Sequence, residues 1–301
     1  MSLSALIAAL LLERYRPALP VAPRETARRA MQALLSHLDA GGEQHGALAW
    51  SLGVALPALL VAGLASLLHG IGSLLGWAFE VVVLAFCLGF RQASYQVAQL
   101  ARLLRDDSAS EAAAGIFRTW RPGLLLSADS CQWPTQIAEE IVRQGLVRLL
   151  GVVFWFVLLG AGGAVLYALS GLARVQWAHA GAFGAFSARA RYALDWLPVR
   201  LAAVSFAVVG NFQDALTCWR EQSDGWSRAE PHEGQLLAAA AGALGLQLGG
   251  PLTLRDSQLP RHVLGVGEPP EADALEGVVA LLWRVVALWG AALGLVWLGS
   301  L

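Results

Sequence analysis

Residues 47–69 contain no Asp, Glu or Arg, and no Lys occurs anywhere in the chain. In lipid, backbone N–H and C=O groups must pair within their own segment, which a helix achieves. At 1.5 Å per residue, a helix of this length matches the ~30 Å hydrocarbon core of a bilayer. Three further runs repeat the pattern. Residues 71–90 carry one charge, Glu80; residues 149–170 carry none, with Arg148 at their entrance; residues 277–299 carry only Arg284. His69-Gly70 leaves a short connection between the first two runs, which predicts an antiparallel hairpin. A fifth run, Trp196–Gly210, is apolar but short. It fits either a tilted crossing or a helix lying half-buried, and the crossing is the expectation. The run Ser2–Leu12 is too short to span, lacks a basic start and a small-residue cleavage site, and reads as an interfacial or re-entrant helix.

Composition agrees. Of 301 residues, 56% are hydrophobic and 14% charged, against roughly a quarter charged in an ordinary soluble domain. Mean hydropathy is +0.55. The net charge of −1 provides no basic field, so nucleic acid is not an expected partner. The missing Lys excludes a Walker A loop, a Schiff-base lysine and an S-x-x-K pair. Cys87, Cys131 and Cys218 form no C-x-x-C, and the histidines show no ligand spacing, so no metal site and no cofactor are expected. The sequence thus predicts an all-α polytopic membrane protein, one domain over 1–301, with four to five spans and a cytoplasmic helical layer.

Arginine bias sets the orientation. Arg14, Arg16, Arg24, Arg28 and Arg29 precede the hairpin, while Arg91, Arg102, Arg105, Arg118, Arg121 and Arg143 follow it. Both groups are therefore assigned to the cytoplasm, and 171–194 to an outer loop. Abundant Trp, including Trp177, suggests an interfacial belt. The insert 91–144 reads as helices: Val97, Leu100, Ala101 and Leu104 share a face, Ser108 and Glu111 match a capping box, and Pro134 opens a helix whose apolar face carries Ile137 and Ile141. Glu139, Glu140 and Arg143 read as an ordinary helical ion pair. His232-Glu233 reads as a solvated loop pair, and 249–251 and 265–270 as loops.

Charges inside apolar runs need partners, so Glu80 and Arg284 are expected to meet or to share a polar cavity. Gly290 and Gly294 form a G-x-x-x-G on the last run. It is read first as packing within the chain and second as a homodimer seam. In the string Asp195-Trp196-Leu197-Pro198-Val199-Arg200, Pro198 suits a first helical turn and Asp195 its N-cap. A helix start at the membrane surface would take an anionic or polar ligand.

The string from Asp195 to Leu201 resembles the AmpE family of inner-membrane proteins, within the CobD/CbiB superfamily. Leu12-Glu13-Arg14, Arg91 through Asp107 and Phe154-Trp155 continue the likeness. Ala241-Gly242-Ala243-Leu244-Gly245, running to Gly249-Gly250-Pro251, resembles the C-terminal part of the CbiB branch. The resemblance implies a multi-pass protein of the bacterial inner membrane. On the AmpE side it implies a regulator tied to β-lactamase induction and cell-wall recycling, which is the leading expectation. On the CbiB side it implies an adenosylcobinamide-phosphate synthase, which joins an amino-alcohol phosphate to a corrinoid carboxylate with ATP. Acidic positions of that branch appear here as Arg143, Gln144, Val147 and Leu237, so the expectation leans away from an enzyme that binds Mg²⁺. A small-molecule transporter is a third reading, carried only by the intramembrane charges. For an anionic small-molecule ligand, the expected site is Glu13, Arg91, Asp195 and Arg200, with Glu80 and Arg284 deeper. Arg91 and Arg200 would hold the anion; Glu13 and Asp195 would orient it or bind a cation.

Overall fold

In a computed structural model, the described residues are 3–15, 22–39, 41–105, 110–120, 127, 129–223, 226, 231–253 and 258–299. In chain order the helices are α1 (Leu3–Tyr15), α2 (Ala22–Leu38), α3 (Glu43–Trp50), α4 (Leu56–Ile71), α5 (Ser73–Cys87), α6 (Phe90–Arg105) and α7 (Ser110–Trp120). They continue with α8 (Trp133–Gly145), α9 (Gly151–Gln176), α10 (Gly181–Val209), α11 (Phe212–Gln222), α12 (Pro231–Leu244) and α13 (Ala274–Gly299). Short strands β1 (Gln247–Gly249), β2 (Leu252–Thr253), β3 (Gln258–Leu259) and β4 (Val263–Gly265) precede α13. The all-α polytopic architecture holds. Four helical stretches are long and apolar enough to cross a bilayer: Glu43–Ile71, Ser130–Gln176, Gly181–Val209 and Ala274–Val296.

The chain divides into two units, Met1–Arg91 with Val147–Pro198, and Gln92–Leu146 with Val199–Leu301. In the first unit, a π-helical turn at Ser51–Ala55 joins α3 to α4, giving a continuous 29-residue stretch. The α4–α5 hairpin forms, but its break is at Gly72, in extended conformation, while the expected connection His69-Gly70 is the last turn of α4. However, α5 has only 15 residues and is shorter than a full span. Glycine at 76 is required, because a Cβ there would collide with the His69 ring. The outward faces are apolar: Leu59, Leu67, Ile71 and Leu74 are 61–74% exposed. Lipid, rather than water, suits such a surface.

Two expectations change and one stands. The run 171–194 is not an outer loop, because α9 continues to Gln176 and α10 begins at Gly181. Trp196–Val209 is the latter part of a 29-residue helix that is long enough to cross, as expected. Trp177 belongs to the core: it is fully buried with Met31, Val54 and Phe183, and its indole N–H donates to Met31 O at 3.0 Å. Within α9, Gly160 adopts φ 65°, ψ −155° and kinks the helix.

In the second unit α8 is the central element. Pro134 starts it, as expected, and Ile137 and Ile141 are buried. Its burial is nearly all-round, covering Thr135 to Val142 without interruption. Helices α11 and α12 pack together, with the Asn211 side chain capping α11 by accepting from Asp214 N at 3.2 Å. The expected loops 249–251 and 265–270 flank two small antiparallel ladders, β1 with β4 and β2 with β3. Of the expected capping box, Ser108 lies outside the described residues.

Candidate functional site

The second unit contains an unusual density of buried charge. Glu139 and Glu140 on α8 are 4% and 1% exposed. Each is held by an arginine. Arg261 makes a two-point contact with Glu139, Nη1 to Oε2 at 2.8 Å and Nη2 to Oε1 at 3.2 Å. The Gly249 amide donates to the same Oε1 at 2.9 Å. Arg261 Nε donates to Gly250 O at 3.1 Å, and the guanidinium lies 5.2 Å from the Trp226 ring centroid. Arg143 bridges Glu140 and Glu233, and Gln144 Nε2 donates to Glu140 Oε1 at 2.6 Å. A buried charge is tolerated only when paired and hydrogen-bonded, and these groups meet both conditions.

Two readings from sequence are corrected here. The expected helical ion pair forms between Glu140 and Arg143, but α8 is covered on nearly every face and Glu139 pairs with Arg261 instead. His232 and Glu233 are not a solvated loop: both lie in the first turn of α12, His232 is 7% exposed, and Glu233 closes on Arg143. A Glu-Glu-x-x-Arg string shows the i,i+3 spacing, but no local signal reveals Glu233 or Arg261 as partners 90 and 122 positions away.

Arg261, braced by Glu139, lines one wall of a cavity of about 290 Å³. Gln132, Gln136, Gly249, Gly250 and Cys131 contribute to its lining. Gly249 and Gly250 have φ of 76° and 80°, the region that glycine enters without strain, so the backbone can turn beneath the guanidinium. The wall therefore offers a fixed cation, side-chain amides and backbone groups, suited to a polar or anionic ligand. It does not suit a divalent cation, because the oxygens of Glu139 and Glu140 are already taken by arginines, an amide and Gln144. Among the described residues no cluster of three or more His, Cys, Asp or Glu is placed to hold a metal.

A second buried polar cluster lies in the first unit. Asp195 Oδ1 accepts from the Tyr167 hydroxyl at 2.8 Å, and Oδ2 accepts from Arg191 Nε at 2.7 Å. Arg191 Nη1 donates to Tyr167 O at 3.0 Å, and its guanidinium stacks 3.9 Å from the Tyr167 ring centroid. Gly151 is required beneath this ring, since a Cβ would overlap it. Asp195 is therefore not an N-cap. It lies within α10, and Pro198 is an interior proline of the same helix. The reason is that the helical pattern begins upstream at Gly181, where sequence reading placed a loop.

The other expected residues are placed as follows. The backbones of Glu13 and Arg91 lie in α1 and α6, while their side chains fall outside the described residues. Arg200 belongs to the second unit and Asp195 to the first. Glu80 approaches His69 across the α4–α5 hairpin, with Oε1 3.3 Å from Nε2.

Residues 139–282 match the pattern of the CobD/Cbib protein family. The chain is 35% identical over 258 residues to the cobalamin biosynthesis protein CobD of Stutzerimonas stutzeri, covering 83% of this chain and 81% of that protein. The chain belongs to the CobD/CbiB family. A CobD of Chromobacterium violaceum is 34% identical over 157 residues, about half of each chain. The cobalamin biosynthesis protein CbiB of Salmonella typhimurium is 25% identical over 235 residues, 73% of this chain and 72% of that protein. No solved structure matches. These relatives overturn the expectation of an AmpE-type regulator of β-lactamase induction: their names place them in cobalamin biosynthesis. The family match begins at Glu139 and encloses both buried polar clusters.

Proposed function

We propose that this CobD/CbiB protein is a multi-pass enzyme of cobalamin biosynthesis in the bacterial inner membrane. Its reaction joins the amine of an amino-alcohol phosphate to a corrinoid carboxylate as an amide, the carboxylate oxygen leaving at the expense of ATP, as the family resemblance implies. The observation that carries this reading is the 35% identity extending over 81% of a relative named for that pathway. The cavity beside Glu139 and Arg261 supports it, because amide formation between two anionic partners needs an oriented cation and a site that limits water. Arg261 is held on three sides by Glu139, Gly250 O and the Trp226 ring, so its charge has a fixed position without ligand. That is the preorganisation expected of a group that positions an anion.

The test is complementation. A bacterial strain lacking its own CobD/CbiB gene and requiring cobalamin for growth is given this chain. Growth restored without added corrinoid amide supports the assignment. Failure to grow, with the protein present in the membrane and with growth rescued by added amide product, overturns it.

A further inference from the structure

The cavity beside Arg261 is also lined by the start of α8. Gln132 is the N-cap of that helix, and Thr135 and Gln136 follow in its first turn; all three line the cavity. Backbone amides of a first helical turn lack intrahelical partners, and the helix dipole places partial positive charge there. A helix start alone does not make a site, so the neighbouring side chains decide what this one can hold.

Gln136 is 3% exposed. Its Oε1 accepts from Ser127 N at 2.8 Å, which fixes the orientation of the amide, because a backbone N–H can only donate. Its Nε2 is therefore a donor, and it makes no hydrogen bond among the described residues. Thr135 is 8% exposed, and its hydroxyl likewise makes none among them. Arg261 adds the only formal charge among the described lining residues. Its bonds to Glu139 and Gly250 O use only part of its N–H set. The lining is thus rich in donors without acceptors, and a buried donor in that state is costly. A ligand with several acceptor oxygens removes the cost. A phosphate brings three terminal oxygens in different directions, whereas a carboxylate brings two in one plane.

Size separates the two partners of the proposed reaction. A cavity of about 290 Å³ has room for about ten waters. An amino-alcohol phosphate is of that size. A corrin macrocycle with its side chains is several times larger and cannot enter.

We infer that this cavity is the phosphate subsite of the proposed reaction. Gln136, Thr135 and Arg261 hold the phosphate of the amino-alcohol phosphate, and the corrinoid remains outside. The assignment rests on that reaction and adds which partner occupies this space.

Cys131 is exposed and lines the same cavity, so its thiol reports occupancy. The full chain in lipid nanodiscs is treated with maleimide, and labelling of the Cys131 peptide is timed by mass spectrometry. Cys218, fully buried, stays unlabelled while the fold is intact. Ethanolamine phosphate at about ten times its dissociation constant should slow Cys131 labelling about tenfold. Ethanolamine should leave the rate unchanged. Thr135→Val raises the half-protecting concentration about tenfold, through one lost hydrogen bond to a charged group. Gln136→Glu keeps the contact to Ser127 N, places a carboxylate at the cavity and abolishes protection. Labelling of the unaltered chain that ethanolamine phosphate does not slow overturns the inference, as does protection undiminished in either variant. Protection by a corrinoid acid alone gives the cavity to the other partner and also overturns it. Complementation separates the subsite from the reaction. Growth without protection leaves the reaction standing and overturns the subsite; protection without growth overturns the reaction, and with it the role given to the phosphate.

Discussion

Arg261 and Glu139 are 122 positions apart in the chain and meet at 2.8 Å and 3.2 Å, with the carboxylate 5% exposed. Removing one partner leaves the other charge buried, which costs about 3–5 kcal/mol. Glu139→Leu and Arg261→Met should each lower the thermal midpoint in detergent. The double variant should lose clearly less than the sum of the two. Additive losses would show that the contact does not couple the residues.

Tyr167 and Arg191 share the Asp195 carboxylate, so their variants should differ in severity. Tyr167→Phe removes one neutral donor and should cost about 1 kcal/mol. Asp195→Ala leaves Arg191 buried with its main acceptor gone and should cost about 3–5 kcal/mol. Comparable losses in thermal unfolding would argue that the carboxylate is not what compensates Arg191.

Gly160 interrupts α9 at φ 65°, ψ −155°, a conformation that essentially only glycine adopts. A Cβ there meets no neighbour within 4 Å, so any effect of Gly160→Ala comes from the backbone. The expected cost is about 1–3 kcal/mol, read as a lowered midpoint. An unchanged midpoint would mean that α9 straightens without penalty.

The thiols should separate by position and by pH. Cys131 is exposed at the cavity, whereas Cys218 is fully buried. Burial, reinforced by the Asp214 and Glu221 carboxylates, pushes the Cys218 thiol above its ordinary value. Maleimide should label Cys131 near pH 7.5 and spare Cys218. The contribution of Cys218 to stability is fully present below the ordinary thiol value of about 8.5. It is lost as pH rises through the higher folded value, because the unfolded chain ionises first. A Cys218→Ala variant should therefore lose less stability above that pH than the parent. Equal labelling of both thiols at neutral pH would contradict the burial of α11.

The sequence by itself determined the all-α multi-pass class, the apolar runs that become α4, α9 and the last helix, the proline in the first turn of α8 and the membership in a CobD/CbiB superfamily. Each is local: a charge-free run long enough for a bilayer, a ring that fixes φ, a contiguous motif. Tertiary structure alone decided which charges are buried and with whom. Glu233 becomes a buried ligand of Arg143 because α12 lies against α8, and Arg261 reaches Glu139 only because β1 and β4 pair and bring 249–250 beside 261–262. Asp195 changed from cap to interior because helix continuity upstream depends on how Phe183 and Trp177 pack, not on the residues beside Pro198.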